Sequence, residues 1–128
     1  MREINLWKDA EKKIVDPLLF SQTAETMAKE LGGDFRVNKG TQLRRFFDEV
    51  VRFNDAAKNK SIDIEQLLPG LHLIIARAAY AQGRNLVSAD FVSFIRSGIE
   101  QIQRKEDLRV FTNFFEALMA FYKLYNSK

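Results

Sequence analysis

Apolar side chains recur every three or four residues along most of this chain, which is the spacing of an amphipathic α-helix. The clearest stripe begins at Leu43 and ends at Phe53, and Thr41 stands just before it as an N-cap residue. The stripe predicts a helix over Thr41–Lys58. Runs of alternating β-branched residues ended by Asn-Gly or Asp-Gly are missing from the sequence, so no strand is predicted.

Four further helices are predicted from the same spacing. The first opens at Asp16-Pro17, because proline suits the first turn of a helix, and it ends at Gly32-Gly33. The others are predicted from Ser61 or Asp63 to Gln82, from the cap Ser88 to about Arg104, and from Glu106-Asp107 to Tyr125.

Two residues in or next to the helix that ends at Gln82 affect its backbone conformation. Gly83 directly follows its last residue and is predicted to be a left-handed C-cap. Pro69 lies inside its pattern, and it either kinks the helix or separates a short first turn from the main run.

The two ends of the chain each leave alternatives open. Residues 4–16 favour either a short amphipathic helix or an arm that is docked through Trp7. The apolar arc of the last helix is so wide that this helix is either central or shared with a partner. We therefore expect an all-α, compact bundle of about five helices in a single domain over residues 1–128, with a short N-terminal helical arm as one alternative.

The composition excludes several classes of protein. The 128 residues include 11 Phe, enough apolar volume for one core, and no Cys. Disulfides, zinc fingers, iron–sulfur clusters and thiol catalysis are excluded, and a reducing, cytoplasmic location is expected. No apolar window is long enough to span a membrane, and the charged N-terminus does not resemble a signal peptide.

The positive charge is concentrated in one short segment. The net charge is +3, but residues 36–60 carry 7 Lys or Arg against 3 Asp or Glu. This excess indicates a polyanionic partner. The competing interpretation is a solvated helix face with intrahelical ion pairs, in which Asp48 pairs with Arg44 or Arg52, and Glu49 with Arg45.

The sequence does not favour catalysis. His72 is the only histidine, and it lies at the flank of an apolar stripe without Cys or an acidic cluster nearby. It predicts a partly buried structural histidine, not a metal site or a nucleophile–base pair. No glycine-rich phosphate loop is present. We expect no enzyme activity, no metal and no cofactor.

Three surfaces are candidates for binding, and the third of them is the aromatic last helix, with Lys123 near its end. Arg77, Tyr80 and Arg84 share one face of a predicted helix, whose other side carries Ile74, Ile75, Ala78 and Ala81. Guanidinium groups around an aromatic ring suit a phosphate backbone and an unstacked base, although a salt-bridged surface has the same pattern. The second candidate is the basic segment Lys39–Arg45, where Lys39, Thr41 and free backbone amides would hold a phosphate.

Three blocks of sequence carry a resemblance to a known family. They are Thr41-Gln-Leu-Arg-Arg-Phe-Phe47, Ile75-Ala-Arg-Ala-Ala-Tyr-Ala-Gln-Gly-Arg84 and Phe114-Phe-Glu-Ala-Leu-Met-Ala-Phe-Tyr-Lys-Leu-Tyr125. In this order they resemble the small helical subunit of type III-A CRISPR effector (Csm) complexes. The resemblance covers residues 37–125, and residues 1–35 lie outside it. Ahead of the first block this chain has Asn38-Lys39-Gly40, where the family often has another Ser or Thr.

The resemblance implies a function without catalysis. Copies of the family's subunit stack along a filament that carries guide RNA, and they line the channel where target RNA pairs with the guide. The implied partners are therefore guide or target RNA, other Csm subunits and further copies of the chain. Lys39, Arg44, Arg45, Arg77 and Arg84 would contact phosphate, and Tyr80 would pack beside them.

Two other functions remain as alternatives. A helical protein-interaction scaffold without direct RNA binding would use the wide apolar arc of the last helix as its interface, as a homodimer when isolated. A small helix-turn-helix DNA binder is less favoured, because no helix presents exposed Asn, Gln and Arg at its N-terminal turn.

Overall fold

The computed structural model describes residues 4–9, 11, 14–34 and 36–126. These residues form a π-helical turn, Leu19–Thr23, that continues into α1 (Ala24–Leu31), followed by α2 (Gly40–Ala57), α3 (Ile64–Gly83), α4 (Ala89–Glu100) and α5 (Lys105–Tyr125). The prediction of an all-α bundle of about five helices is confirmed. None of the described helices is both long and apolar enough to cross a membrane.

Helix α5 is the central element of the bundle. It packs against α1, α2 and α4, and its apolar arc is buried by them. Phe115 makes edge-to-face contacts with Phe47 of α2 and Phe94 of α4, with ring centroids 5.4 and 5.1 Å apart. The interpretation of α5 as a central helix is therefore confirmed, and Leu124 and Tyr125 in its last turn are exposed.

Aromatic packing dominates the stability of this core. Phe91, Phe94, Phe111, Phe114 and Phe115 are all fully buried. Truncating one such ring to alanine typically costs about 3–5 kcal/mol, whereas an exposed ion pair contributes about 0–1 kcal/mol. Exposed ion pairs therefore contribute little to the stability of the fold beside these rings.

The helices alternate in direction, so that particular ends meet. The ring of Phe47, near the start of α2, lies against Phe115, whereas Lys105 at the start of α5 donates to the carbonyl of Asn59 beyond the end of α2, at 3.1 Å. Helices α2 and α5 are thus antiparallel. The first turn of α2 and the last turn of α5 consequently lie at one end of the bundle.

The start of α2 differs from the prediction. The helix begins at Gly40 with Lys39 in the N-cap position, and no side chain caps it. The assignment of Thr41 as the cap is wrong, because the carbonyl of Lys39 accepts from the amides of Gln42 and Leu43 at 2.9 and 3.1 Å. Thr41 already lies inside the first turn, and its side chain is exposed.

The end of α3 also differs from the prediction. Gly83 is the last helical residue, and the left-handed position is taken by Asn85, with φ of 61°. The amides of Asn85 and Leu86 donate to the carbonyls of Gln82 and Ala81, both at 2.9 Å, which is a Schellman motif. Asparagine tolerates this conformation because its short side chain forms local hydrogen bonds.

The other helix boundaries show one confirmed cap and two corrections. Ser88 caps α4 as predicted, since its Oγ accepts from the amide of Phe91 at 3.2 Å. Helix α4 ends at Glu100 and not near Arg104, because the amides of Gln103 and Arg104 donate to the Asp107 carboxylate and not to carbonyls of the helix. Helix α3 runs unbroken through Pro69, so a separate first turn is wrong.

Residues 4–9 form a docked arm and not a helix. The indole of Trp7 donates to Oδ1 of Asp107 at 2.6 Å, and the guanidinium carbon of Arg104 lies 5.9 Å from the centre of the Trp7 ring. Ile4 and Leu6 are buried. Of the two alternatives for residues 4–16, the described residues therefore support the arm docked through Trp7.

The Asp107 carboxyl has competing influences on its pKa. Burial alone would raise the pKa, but hydrogen bonds from the backbone of Gln103, the indole of Trp7 and the backbone of Arg104 stabilise the charged form. With the nearby guanidinium of Arg104, these contacts hold the pKa of Asp107 below its ordinary value.

This lowered pKa makes arm docking sensitive to acid. A carboxyl with a depressed folded-state pKa stabilises the fold above its unfolded pKa of about 3.9, and this contribution is lost as the pH falls through the folded pKa. We expect Asp107→Asn to lower the free energy of unfolding by about 2 kcal/mol at pH 7, because hydrogen bonds to a charged group are lost. Denaturant titrations followed by the fluorescence of Trp7, the sole tryptophan, measure this.

The pH profile provides the control. The stability of the wild-type protein should fall more steeply than that of Asp107→Asn between about pH 5 and pH 2. Parallel profiles for the two proteins would show that Asp107 does not hold the arm in its charged form.

Candidate nucleic-acid interface

A buried asparagine joins four segments at one end of the bundle. Asn38 is 1% exposed and has φ of 58°. Its side-chain Nδ2 donates to the carbonyl of Leu31 at 3.0 Å and to Oγ of Ser88 at 2.9 Å, and its Oδ1 accepts from the amide of Ser88 at 2.9 Å. Its side chain thereby connects the end of α1 to the start of α4.

The backbone of Asn38 makes two more connections. Its amide donates to the carbonyl of Leu86 at 3.0 Å, and its carbonyl accepts from the hydroxyl of Tyr122 in α5. Burial raises the pKa of the Tyr122 phenol, which keeps this donor protonated. We call this end of the bundle, where the ends of α1, α3 and α5 meet the starts of α2 and α4, the Asn38 end.

The Asn38 network brings the three sequence blocks together. Lys39 and the first turns of α2 follow Asn38 directly, Arg84 is two residues before Leu86, and Lys123 is next to Tyr122. An open cleft of about 530 Å³ lies between α2 and α5 at this end. Its lining is formed by Gly40, Thr41, Arg44, Arg45, Asp48, Met119, Tyr122, Lys123 and Asn126.

The start of α2 is suited to an anion at this cleft. Its first turn contains no acidic residue and no side-chain cap. Within the described chain, the amides of Gly40 and Thr41 have no intramolecular acceptor. Unsatisfied amides and the positive end of the helix dipole attract negative charge. The hydroxyl of Thr41, which caps nothing, adds one further donor.

The structure divides the predicted cations into paired and unpaired groups. Arg44 is 3.3 Å from Asp48, and Arg77 is 3.3 Å from Glu49. By contrast, four cations at the Asn38 end have no carboxylate partner among the described residues, namely Lys39, Arg45, Arg84 and Lys123. The unpaired cations are the stronger candidates for phosphate binding, because no existing ion pair must be broken.

The ion pairs on α2 match the sequence only in part. Arg44 pairs with Asp48 as predicted, four residues apart. Glu49 pairs with Arg52 at 2.9 Å and with Arg77 of α3 at 3.3 Å, and not with Arg45. This choice leaves Arg45 without a carboxylate and neutralises Arg77, so the salt-bridged interpretation applies to Arg77 and not to Arg84.

The outer face of α3 carries the aromatic part of the candidate site. Arg77, Tyr80 and Arg84 are exposed, whereas Ile74, Ile75, Ala78 and Ala81 are buried, as the spacing predicts. Tyr80 is 66% exposed, and the guanidinium carbon of Arg84 is 5.9 Å from the centre of its ring. Tyr80 and Arg84 thus form an exposed aromatic–cation pair beside the Asn38 end.

Sequence reasoning missed one important residue, Asn38, and could not assign contacts to another. Lys123 was singled out near the end of the last helix, but its position beside α2 is known only from the packing of the two helix ends. Asn38 stands just before a helix, and asparagine's tolerance of left-handed backbone was the one available signal for its role. Asp48, which also lines the cleft, keeps this surface from being uniformly positive.

The acidic residues and the histidine of the described chain are dispersed. Among them, no three His, Asp or Glu side chains are placed to hold a metal ion. His72 is exposed on α3, so the expectation of a partly buried histidine is wrong. The side chain points outward because the buried face of α3 is filled by Leu71, Ile74 and Ile75.

Comparison with known proteins identifies one family. A family model described as Csm2 Type III-A matches residues 16–128. This match is longer than the segment 37–125 over which the three blocks carry the resemblance, and it includes α1. No curated protein and no solved structure matches the chain significantly.

The role of Asn38 can be tested by a substitution. Asn38→Ala leaves several buried polar groups without partners and strains a left-handed backbone, so we expect a loss of about 3 kcal/mol in the free energy of unfolding. Urea denaturation monitored by circular dichroism measures the loss. Asn85→Gly is the matched control, because glycine adopts positive φ without strain. Equal midpoints for Asn38→Ala and the wild type would contradict the proposed network.

Proposed function

The chain belongs to the Csm2 Type III-A family, and we propose that it binds the RNA backbone through the Asn38 end. As a member of this family it is a structural subunit of a type III-A CRISPR complex and associates with other Csm subunits. The observation that carries the RNA proposal is the convergence of four unpaired cations and the uncapped start of α2 on one end of the bundle.

Phosphate is the chemical group that this arrangement suits. Lys39, Arg45, Arg84 and Lys123 supply positive charge, and the amides of Gly40 and Thr41 supply directed hydrogen bonds. Contacts of this kind position a nucleic acid without reading its bases. Such binding fits a subunit of an RNA-guided complex, where guide–target pairing supplies the sequence specificity.

Arg44 and Arg77 have a secondary part in the proposal. Each is more than half exposed but already held by a carboxylate. A phosphate would compete with Asp48 or Glu49 for these guanidinium groups, and exposed ion pairs of this kind are weak enough to exchange. Their contribution to RNA binding should therefore be smaller than that of Arg45 or Arg84.

Tyr80 provides a surface for a base or ribose. Its exposed ring can stack on any base, because every base has a π face, and Arg84 beside it can hold the adjoining phosphate. We propose that Tyr80 and Arg84 contact one nucleotide together.

A single copy should bind RNA weakly. Four to six phosphate contacts in water give an affinity that falls steeply with salt. Several copies along one RNA would act together, since each bound copy raises the effective concentration of RNA for the next. This arrangement agrees with further copies of the chain as partners.

The scaffold alternative has lost its main support. It relied on the wide apolar arc of α5, most of which is buried within the bundle.

The RNA proposal is tested by removing two unpaired charges. We expect Arg45→Gln with Arg84→Gln to weaken binding of a short single-stranded RNA and to reduce the slope of log affinity against log salt by about 1.4, for two lost phosphate contacts. Fluorescence anisotropy at several salt concentrations measures both. The folding of the variant should match the wild type, because both side chains are exposed.

A matched control removes two charges elsewhere. Lys60→Gln with Arg109→Gln makes the same change in net charge at two exposed positions, one beyond the end of α2 and one near the start of α5, and neither has a carboxylate partner among the described residues. The salt slope of this control should stay close to that of the wild type. Equal losses in both variants would show that net charge, and not the Asn38 end, governs binding.

A further inference from the structure

The N-terminal arm lies in a groove on the helical bundle, where Ser97 and Gln101 bind its extended backbone. Oγ of Ser97 accepts from the amide of Ile4 at 3.1 Å. The side chain of Gln101 donates to the carbonyl of Ile4 at 2.6 Å and accepts from the amide of Leu6 at 3.0 Å. Three backbone groups of the arm are thus bound by two side chains of α4 and the turn after it.

The spacing of these side chains matches an extended chain. Ser97 and Gln101 are four residues apart, a rise of about 6 Å along a helix. Two residues of an extended chain, such as Ile4 and Leu6, cover about 6.6 Å. Because the two distances agree, the amide of Ile4 meets Ser97 while the amide of Leu6 meets Gln101.

The groove also selects side chains. Ile4 and Leu6 are 5% and 0% exposed, whereas Asn5 between them is exposed. The indole of Trp7 is fixed by Asp107 at 2.6 Å. The docked arm therefore places an apolar residue, an exposed residue, a second apolar residue and tryptophan at four successive positions.

Residues 4–7 of the arm are followed by a neck, whose described residues Lys8, Asp9 and Ile14 hydrogen-bond to one another. The amides of Lys8 and Asp9 donate to the carbonyl of Ile14 at 2.8 and 3.1 Å, and the amide of Ile14 donates to the carbonyl of Asp9 at 3.0 Å. These bonds fold the arm back onto its own body. The family match begins at residue 16, so both arm and neck lie outside the matched segment.

We propose that the groove also accepts the arm of a second copy, so that neighbouring copies are joined by exchange of residues 4–7. Every contact of the arm is the same whether it is docked on its own body or on another. Two terms therefore oppose exchange. The hydrogen bonds of the neck must open, and the chain's own arm competes for the groove at a higher effective concentration than the arm of another copy. Where copies lie side by side, as the proposed function requires, a neighbour's arm has a comparable effective concentration.

Chemical cross-linking distinguishes the two arrangements. The chain has no cysteine, so single thiols can be placed at Asn5 and Glu100, which line one cleft beside the groove. Intact Asn5→Cys and Glu100→Cys proteins are mixed, both as concentrated isolated protein after joint refolding and co-assembled in the purified Csm complex. Each sample is then treated with a short bis-maleimide.

Exchange predicts a cross-link between the two chains in at least one of these samples. Its yield should exceed by about tenfold that of a pair with Cys at the exposed Asn113 in place of Glu100, because a docked arm gives a high effective concentration. Adding Leu6→Asp to the Asn5→Cys chain should reduce the yield to the level of that pair. The double variant Asn5→Cys with Glu100→Cys, which cross-links within one chain, verifies the reach of the reagent.

Yields at the level of the Asn113 pair in both samples would overturn the proposal and show that each arm stays on its own body. No RNA measurement enters this readout. A failure of arm exchange is therefore distinguishable from a failure of RNA binding by the Asn38 end.

Discussion

The hydrogen bonds of Asn38 are the constraint on which the candidate site depends. The buried side chain of Asn38 forms hydrogen bonds with the end of α1 and the start of α4. The backbone of Asn38 forms hydrogen bonds with the turn between α3 and α4 and with Tyr122 of α5. A buried polar group is tolerated only when it is hydrogen-bonded, so this arrangement admits little variation. The network fixes which helix ends meet, and with them which charged residues become neighbours.

The packing of the helices determines which surface cations are paired with a carboxylate and which are not. The aromatic core around Phe94 and Phe115 supplies the stability, so exposed cations are free to serve binding. The position of α3 beside α2 directs Glu49 to Arg77 and leaves Arg45 open. The same cation content with another packing of α3 would have placed the unpaired charge elsewhere.

The helices were largely predictable, whereas the site was predictable only in part. Spacing alone locates α2 and α5, and Ser88 is recognisable as a cap. The Arg44–Asp48 pair follows from a separation of four residues, but the Glu49–Arg77 pair joins two helices and has no local signal. Asn85 and Asn38 adopt left-handed backbones, and tertiary contacts decide which groups Asn38 binds. Local patterns therefore predict elements, while the contacts between their ends require the fold.

Ultraviolet cross-linking of the assembled complex, followed by mass spectrometry of the attached peptides, tests the central claim most directly. If the Asn38 end holds RNA, nucleotides should be attached within Lys39–Arg45, at Tyr80–Arg84 and near Lys123, three segments that are far apart in sequence. Attachment confined to the opposite end, around Lys58, Lys105 and Arg109, would contradict the account.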